Sequence, residues 1–240
     1  MTTYVLIHGA GDVGWYWHLV AAELKAQSHD VVTVDLPCDD ESAGLTAYAG
    51  TVVEAIGERT NLVVVGHSFG GYTAPLVCAR RPADQLVLVA GMVPRPGESA
   101  ETMFANTGYR QEEQEDVSDL AVFYHDVPEA LAAEALSRGR NQAQKPWQEP
   151  WPLDAWPDVP TRYLLCRNDR VFPADWIREI VRDRLGITPE EIESGHCVAL
   201  SRPKELADWL IRADVIKVAQ GHRVGTGSHS ADTTRSRRPW

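Results

Sequence analysis

Residues 62–76 read LVVVGHSFGGYTAPL, and this stretch decides the fold. A β-branched apolar run leads into Gly66-His67-Ser68-Phe69-Gly70, and a small-residue run of helical character leaves it. A strand that passes straight into a helix must turn sharply at the residue between them, and glycine two positions to either side leaves room for the neighbouring chain. The turn lifts the Ser68 hydroxyl clear of the sheet. It also sets that hydroxyl at a helix N-terminus, where free amide N–H groups stabilise an anion. Gly-x-Ser-x-Gly alone recurs by chance in many sequences, so its meaning depends on what surrounds it.

Working outward, strand-like apolar runs occur at TYVLIH, DVVTVDLP, NLVVVGH, QLVLVAG and TRYLLCR. Segments of helical periodicity separate them: WYWHLVAAELKAQ, LTAYAGTVVEAIGER and FGGYTAPLVCARR. Strand and helix in alternation predict an α/β fold, a mostly parallel sheet with helices on both faces. A weak last strand, ITPEEIES, precedes the helix RPKELADWLIRA.

Between Gly91 and Thr161 about 70 residues break the rhythm, after the fourth predicted strand. They hold an acidic series (Glu98, Glu101, Glu112, Glu113, Glu115, Asp116, Asp119, Asp126, Glu129 and Glu134), the helical run PEALAAEALSRG, and the Pro/Trp stretch KPWQEPWPLDAWPDVP. So long an insertion at the carboxyl end of a strand, where open α/β sheets bind ligands, reads as a helical lid. The acidity reads as a solvated outer face, and Trp147, Trp151 and Trp156 as lid packing. The expected organisation is an α/β core at 1–94 and 158–216, a lid at 95–157, and a disordered, Gly/Ser/Arg-rich tail at 217–240.

A serine needs a base to take its proton, and the base needs a partner to hold its tautomer. Asp169, in LLCRNDRVFP, follows one strand, and His196, in ESGHCVAL, follows the last weak one. With Ser68 they give the order Ser, Asp, His, all at carboxyl ends of strands. Asp175 is the alternative acid, disfavoured because it falls inside the next helix. Oxyanion donors are expected from the backbone N–H of Ala10, in the glycine-rich first loop His8-Gly9-Ala10-Gly11, and of Phe69. His8 and His67 lie beside the site and are expected to fix loops. The remaining histidines show no metal-ligand spacing, so no metal and no cofactor are expected.

The first loop also carries a rival signal. Gly9-Ala10-Gly11-Asp12-Val13-Gly14 is a literal G-x-G-x-x-G after a strand, with Asp35 closing the next one, which is the dinucleotide fingerprint. Bulky Trp15 and Trp17 stand where a phosphate-binding helix packs tightly, and the rival leaves Ser68, Asp169 and His196 unexplained.

Composition narrows the partners. The chain carries a formal charge of −11, and residues 217–240 hold five cations against Asp232, so the preceding 216 residues carry −15. Such an acidic body repels phosphate backbones and argues against nucleic acid. No stretch is long enough to cross a membrane, and the start MTTYVLIHG lacks the form of a signal peptide, so a cytoplasmic location is expected. Cys38, Cys78, Cys166 and Cys197 form no C-x-x-C pair and are expected to be reduced thiols.

Taken together, HGAGDVGWYW, VTVDLP, GHSFGG, NDRVFP and SGHCVALSRP resemble the α/β-hydrolase superfamily, and within it the small branch of plant methyl esterases and hydroxynitrile lyases. The resemblance covers about residues 3 to 213. It implies Ser68 as nucleophile, Asp169 as acid, His196 as base, and Ala10 and Phe69 as oxyanion donors. The lyases carry a lysine directly after the catalytic histidine to hold cyanide, where this chain has Cys197. The expectation is therefore cleavage of a small, largely apolar carboxylic ester through an acyl-serine. A lyase or C–C hydrolase with the same triad, and a small-molecule binding protein with little turnover, are the alternatives.

Overall fold

A computed structural model describes residues 1–109 and 118–221. Six strands form one sheet: β1 Thr3–Ile7, β2 Asp30–Thr33, β3 Leu62–His67, β4 Gln85–Val89, β5 Thr161–Cys166 and β6 Glu190–Ile192. Their spatial order is β2-β1-β3-β4-β5-β6 and every pairing is parallel, so the expected mostly parallel sheet is wholly parallel among the described residues. All residues of β1, β3 and β4 are buried. A sheet covered on both faces demands this, and it is why these strands read as unbroken apolar runs rather than as alternations. Shortening one of these side chains, as in Val64→Ala or Leu88→Ala, would cost a few kcal/mol in lost burial and residual cavity.

The covering helices follow the sequence rhythm. After a 3₁₀ turn at Gly14–Trp17 come α1 His18–Ala26, α2 Leu45–Ile56 and α3 Gly70–Cys78. Between β4 and β5 lie α4 Ala100–Asn106, α5 Asp119–Phe123, α6 Glu129–Arg138 and α7 Lys145–Gln148. The helix α4 starts on a reciprocal cap, in which Ser99 Oγ accepts from Thr102 N at 3.1 Å and Thr102 Oγ1 accepts from Ser99 N at 3.0 Å. Beyond β5 come α8 Ala174–Leu185, the single turn α9 Val198–Ser201, and α10 Pro203–Gly221.

The last helix continues to Gly221, five residues into the segment expected as tail, because ADVIKVAQ contains neither glycine nor proline to stop it. Residues 222–240 of that tail, and Glu112, Glu113, Glu115 and Asp116 of the acidic insertion, lie outside the described residues. The chain divides into a large unit, 1–207, and a short one, 208–240. Among the described residues no helix is long and apolar enough to cross a membrane.

The segment between β4 and β5 is tied to the core at several points. Arg140 N donates to Gly11 O at 2.6 Å, Gly11 N donates to Gln142 Oε1 at 3.1 Å, and Ala143 N donates to Cys38 O at 2.6 Å. Gly11 has φ +62°, and a Cβ there would stand 2.7 Å from Arg140 O, so glycine is required on both counts. Trp151 is buried and donates through Nε1 to Tyr72 O at 3.1 Å. At its start the segment is anchored by an ion pair between Glu98 and Arg184, with side chains only 6% and 2% exposed.

Candidate active site

Parallel strands share their carboxyl-end edge, and the loops leaving β1, β3, β5 and β6 therefore meet there. Ser68, one residue past β3, has φ +50°, a backbone region that L-residues rarely adopt. The turn is held by Ser68 O, which accepts from Gly71 N at 3.0 Å and Met92 N at 2.9 Å. Both flanking glycines are sterically obligatory. A Cβ on Gly66 would lie 2.7 Å from Gly70 O, and one on Gly70 would lie 2.7 Å from His8 O. Strain of this kind costs about 1–3 kcal/mol and persists only where the surroundings over-determine it.

His196 and Asp169 meet directly. His196 Nδ1 lies 2.7 Å from Asp169 Oδ2, and both side chains are only 2% exposed. An ionised carboxylate can only accept, so Nδ1 carries the proton and Nε2 is left as the basic nitrogen. The other carboxylate oxygen, Oδ1, accepts from Val171 N at 2.7 Å and Phe172 N at 3.0 Å. Three bonds thus fix the acid, its loop and the ring as one unit. The imidazole is flanked by Phe172, Phe123 and His67, with ring centroids 5.2, 5.6 and 4.9 Å away. Among the described residues no hydrogen bond joins Ser68 Oγ to His196. Asp175 lies in α8 with its side chain 99% exposed and bonded to Arg178, remote in character from that buried unit.

His8 and His67 hold loops. Leu36 N donates to His8 Nε2 at 3.0 Å, so the His8 proton sits on Nδ1, 2.7 Å from Gly9 O. Burial pushes its pKa down to about 4, and the ring is neutral. His67 donates from Nε2 to the backbone oxygen of His196 at 3.0 Å, while burial and then the neighbouring His196 keep it well below the usual histidine range. Both rings serve as spacers between adjoining loops.

The first loop sits against the serine. A Cβ on Gly9 would come within 3.0 Å of Ser68 Cβ and 3.4 Å of Ser68 Oγ, which brings the Ala10 amide into the neighbourhood of the hydroxyl. Phe69 is buried at the start of α3, facing Trp147 at 5.0 Å. Neither the Ala10 nor the Phe69 amide has a hydrogen-bond partner among the described residues. Ala10 also borders a cavity of about 320 Å³, shared with Asp12, Asp119, Tyr124, Arg140 and Asn141.

The glycine pattern that imitates a dinucleotide fingerprint has a packing cause. A Cβ on Gly14 would lie 3.0 Å from Val34 O, so that glycine lets the loop cross β2's continuation. Asp35, the would-be ribose contact, instead accepts from Gly14 N at 2.7 Å. Of the three tryptophans, Trp151 and Trp156 pack on each other at 5.8 Å and bond into the core, whereas Trp147 reaches Phe69 and Phe104. Sequence reading missed Phe123, Phe172 and the pair His125–Asp126 beside the base. Phe172 follows Asp169 by three residues, within NDRVFP, and its place in that loop was the signal available; Phe123, His125 and Asp126 are brought to the site from a distant part of the sequence, which leaves no spacing to read.

This arrangement of sheet, turn and loops defines a class, and residues 4–209 match the alpha/beta hydrolase family. The chain belongs to that family. Among its relatives, Methylesterase 2 of Arabidopsis thaliana is 26% identical over 87% of this chain and 94% of its own length. Norfluorocurarine synthase 1 of a Strychnos species is 21% identical over 86% and 93%. The crystal structure of polyneuridine aldehyde esterase superposes with a TM-score of 0.77 at 19% identity, covering 89% of this chain and 99% of that one, a likeness of fold.

Proposed function

We propose that this protein is a serine hydrolase that cleaves a small, largely apolar carboxylic ester without a cofactor. The observation that carries this reading is the buried Asp169–His196 pair, whose 2.7 Å contact at Nδ1 leaves Nε2 free to act as base at the sheet edge that also carries Ser68. In the proposed reaction Nε2 takes the Ser68 proton as Oγ attacks the ester carbonyl carbon. Asp169 stabilises the resulting imidazolium. The amide N–H groups of Ala10 and Phe69 donate hydrogen bonds to the carbonyl oxygen as negative charge develops on it. Collapse expels the alcohol, which takes the proton from His196, and water repeats the sequence on the acyl-serine.

Phe69, Phe104, Phe172 and Trp147 form a packed aromatic cluster that reaches the base, and apolar surroundings of this kind support an apolar substrate. The relatives named for ester chemistry point the same way. We assign the segment at 95–157 the part of a lid, since it borders the cavity at Ala10. Cyanogenic chemistry is disfavoured because Cys197 is buried and its thiol is pushed well above its usual range, first by burial, so it offers no positive charge to a leaving cyanide.

The test is intact-mass analysis after reaction with a fluorophosphonate, together with turnover on p-nitrophenyl and methyl esters. The expected result is one adduct, absent from Ser68→Ala, and hydrolysis of short esters with no cyanide release from mandelonitrile. An adduct formed at the same rate on Ser68→Ala removes the assignment. Cyanide release lost in Ser68→Ala, without hydrolysis of any ester, replaces it with a lyase.

A further inference from the structure

Two adjacent residues of the segment between β4 and β5 reach down to the loops that carry the acid and the base. Asp126 Oδ2 accepts from Gly195 N at 2.7 Å and from Ser194 Oγ at 3.2 Å, immediately before His196. His125 Nε2 donates to Asn168 O at 2.9 Å, immediately before Asp169. The fit admits no slack, because a Cβ on Gly195 would stand 2.6 Å from Asp126 Oδ1 and 2.7 Å from His125 Nε2. Ser194 Oγ is held in turn by Ser201 Oγ at 2.7 Å, at the end of α9. Nearby, Arg170 Nη1 donates to Ala121 O at 2.8 Å, another tie between the acid's loop and the same segment.

The two loops are also joined to each other by Asn168 N, which donates to Ser194 O at 3.0 Å, and the base's loop is met by His67 Nε2 at His196 O, 3.0 Å away. The strand β6, which delivers His196, is three residues long and lies at the sheet edge, so its exit is paired on one side only. Asp126 supplies acceptors to the backbone there, in a place where the sheet supplies none. Its second oxygen, Oδ1, is buried and has no hydrogen-bond partner among the described residues. An oxygen left in that state is unfavourable by about 1–3 kcal/mol, so the carboxylate's place is set by the contacts Oδ2 makes to Gly195 and Ser194.

We propose that His125 and Asp126 are positioning residues, a clamp by which the lid segment sets the separation and orientation of Asp169 and His196. The clamp acts through the backbone at 168 and 195, touches no reacting atom, and rests on the hydrolase reading only where turnover is the measurement. A clamp of this kind makes the base competent only while the segment is seated, so it couples the cover over the substrate to the chemistry beneath it. A misplacement of about 1 Å at a reacting group lowers rates by ~10²-fold.

The experiment uses the full chain with Asp126→Ala, Asp126→Asn and His125→Ala. It measures kcat and KM separately on p-nitrophenyl acetate, thermal midpoints, and the downfield proton resonance of the His196–Asp169 hydrogen bond. Asp126→Ala is expected to lower kcat by ~10–100-fold with KM within about two-fold, the signature of misplaced catalytic groups with substrate binding retained. Asp126→Asn, which keeps an oxygen for Gly195 N–H, should restore most of that loss, and His125→Ala should fall between them. Unchanged kcat in Asp126→Ala overturns the proposal, as does an equal loss in Asp126→Asn that tracks a lower midpoint. Should Asp126→Ala not fold, unchanged kcat and resonance in His125→Ala overturn it. If the wild type turns over no ester, the resonance decides: its shift or loss in Asp126→Ala, with retention in Asp126→Asn, upholds the clamp while the hydrolase reading fails.

Discussion

Replacing Asp12 by asparagine tests whether the carboxylate on the first loop is held at the expense of stability. Asp12 Oδ1 accepts from its neighbour's amide, Val13 N, at 2.8 Å, a bond that an asparagine oxygen preserves. Burial pushes its pKa from 3.8 up to about 6; the Val13 bond opposes this and the nearby Asp35 adds to it. The folded protein therefore binds this proton more tightly than the unfolded chain does. Below pH 4 both states carry it and nothing is lost. As the pH rises from about 4 to 6 the unfolded chain releases it first, and stability falls until the folded state has released it too. A difference of about 2 in pKa, at ~1.36 kcal/mol each, makes the ionised carboxylate unfavourable by ~3 kcal/mol at pH 7.5. Asparagine carries no such penalty. Urea unfolding of wild type and Asp12→Asn at pH 4 and pH 7.5 should give nearly equal stabilities at the lower pH, and a variant more stable by ~2–3 kcal/mol at the higher. A difference that is the same at both pH values, or a variant less stable at pH 7.5, refutes the reasoning.

Asp169→Asn should lower ester turnover by about 10⁴-fold with the fold intact, because the imidazole loses the acceptor that sets its tautomer. Asp175→Asn should be nearly silent, and steady-state kinetics of the two variants decide between them. Breaking the Glu98–Arg184 pair by Arg184→Met should cost ~3–5 kcal/mol in chemical denaturation, since it leaves a buried carboxylate without its partner. Burial alone pushes Glu98 up, yet the bonds from Arg184 and Asn106 outweigh it and leave the carboxyl below its usual range, so the penalty should shrink in acid. Cys197 should resist alkylation by iodoacetamide at pH 7.5 in the native protein, because burial keeps the thiol neutral; rapid modification monitored by mass would contradict this.

The strands β1 to β5 and the helices α1 to α3 were legible because each is a local pattern: a buried parallel strand is an unbroken apolar run, and its helix repeats every three to four residues. The turn at Ser68 was legible for a related reason, since its glycines are dictated by chain crossing within a few residues. Asp169 and His196 could be chosen by their order and by the strands before them. Short elements such as α5 and α7 carry too few residues for a periodic signal. Contacts such as Asp126 with Gly195, 69 residues apart, leave no trace in composition or spacing. The Gly9–Gly14 pattern misleads in the opposite sense, because close passage of backbone and binding of a pyrophosphate make the same demand on side-chain size.

The segment that leaves from β4 and returns to β5 enters and exits on neighbouring strands, which makes it look like a cassette that could be traded among relatives to change substrate range. Its hydrogen bonds say otherwise. A transplanted cassette would join the sheet without disturbing its register, yet bring foreign partners to Gly11, Asn168 and Gly195. Recombination at the strand ends would thus yield folded but poorly active hybrids. Crossover points drawn along the bonds, so that positions 125 and 126 travel with 168 and 194–196, should give hybrids in which a new cover and the old chemistry remain matched.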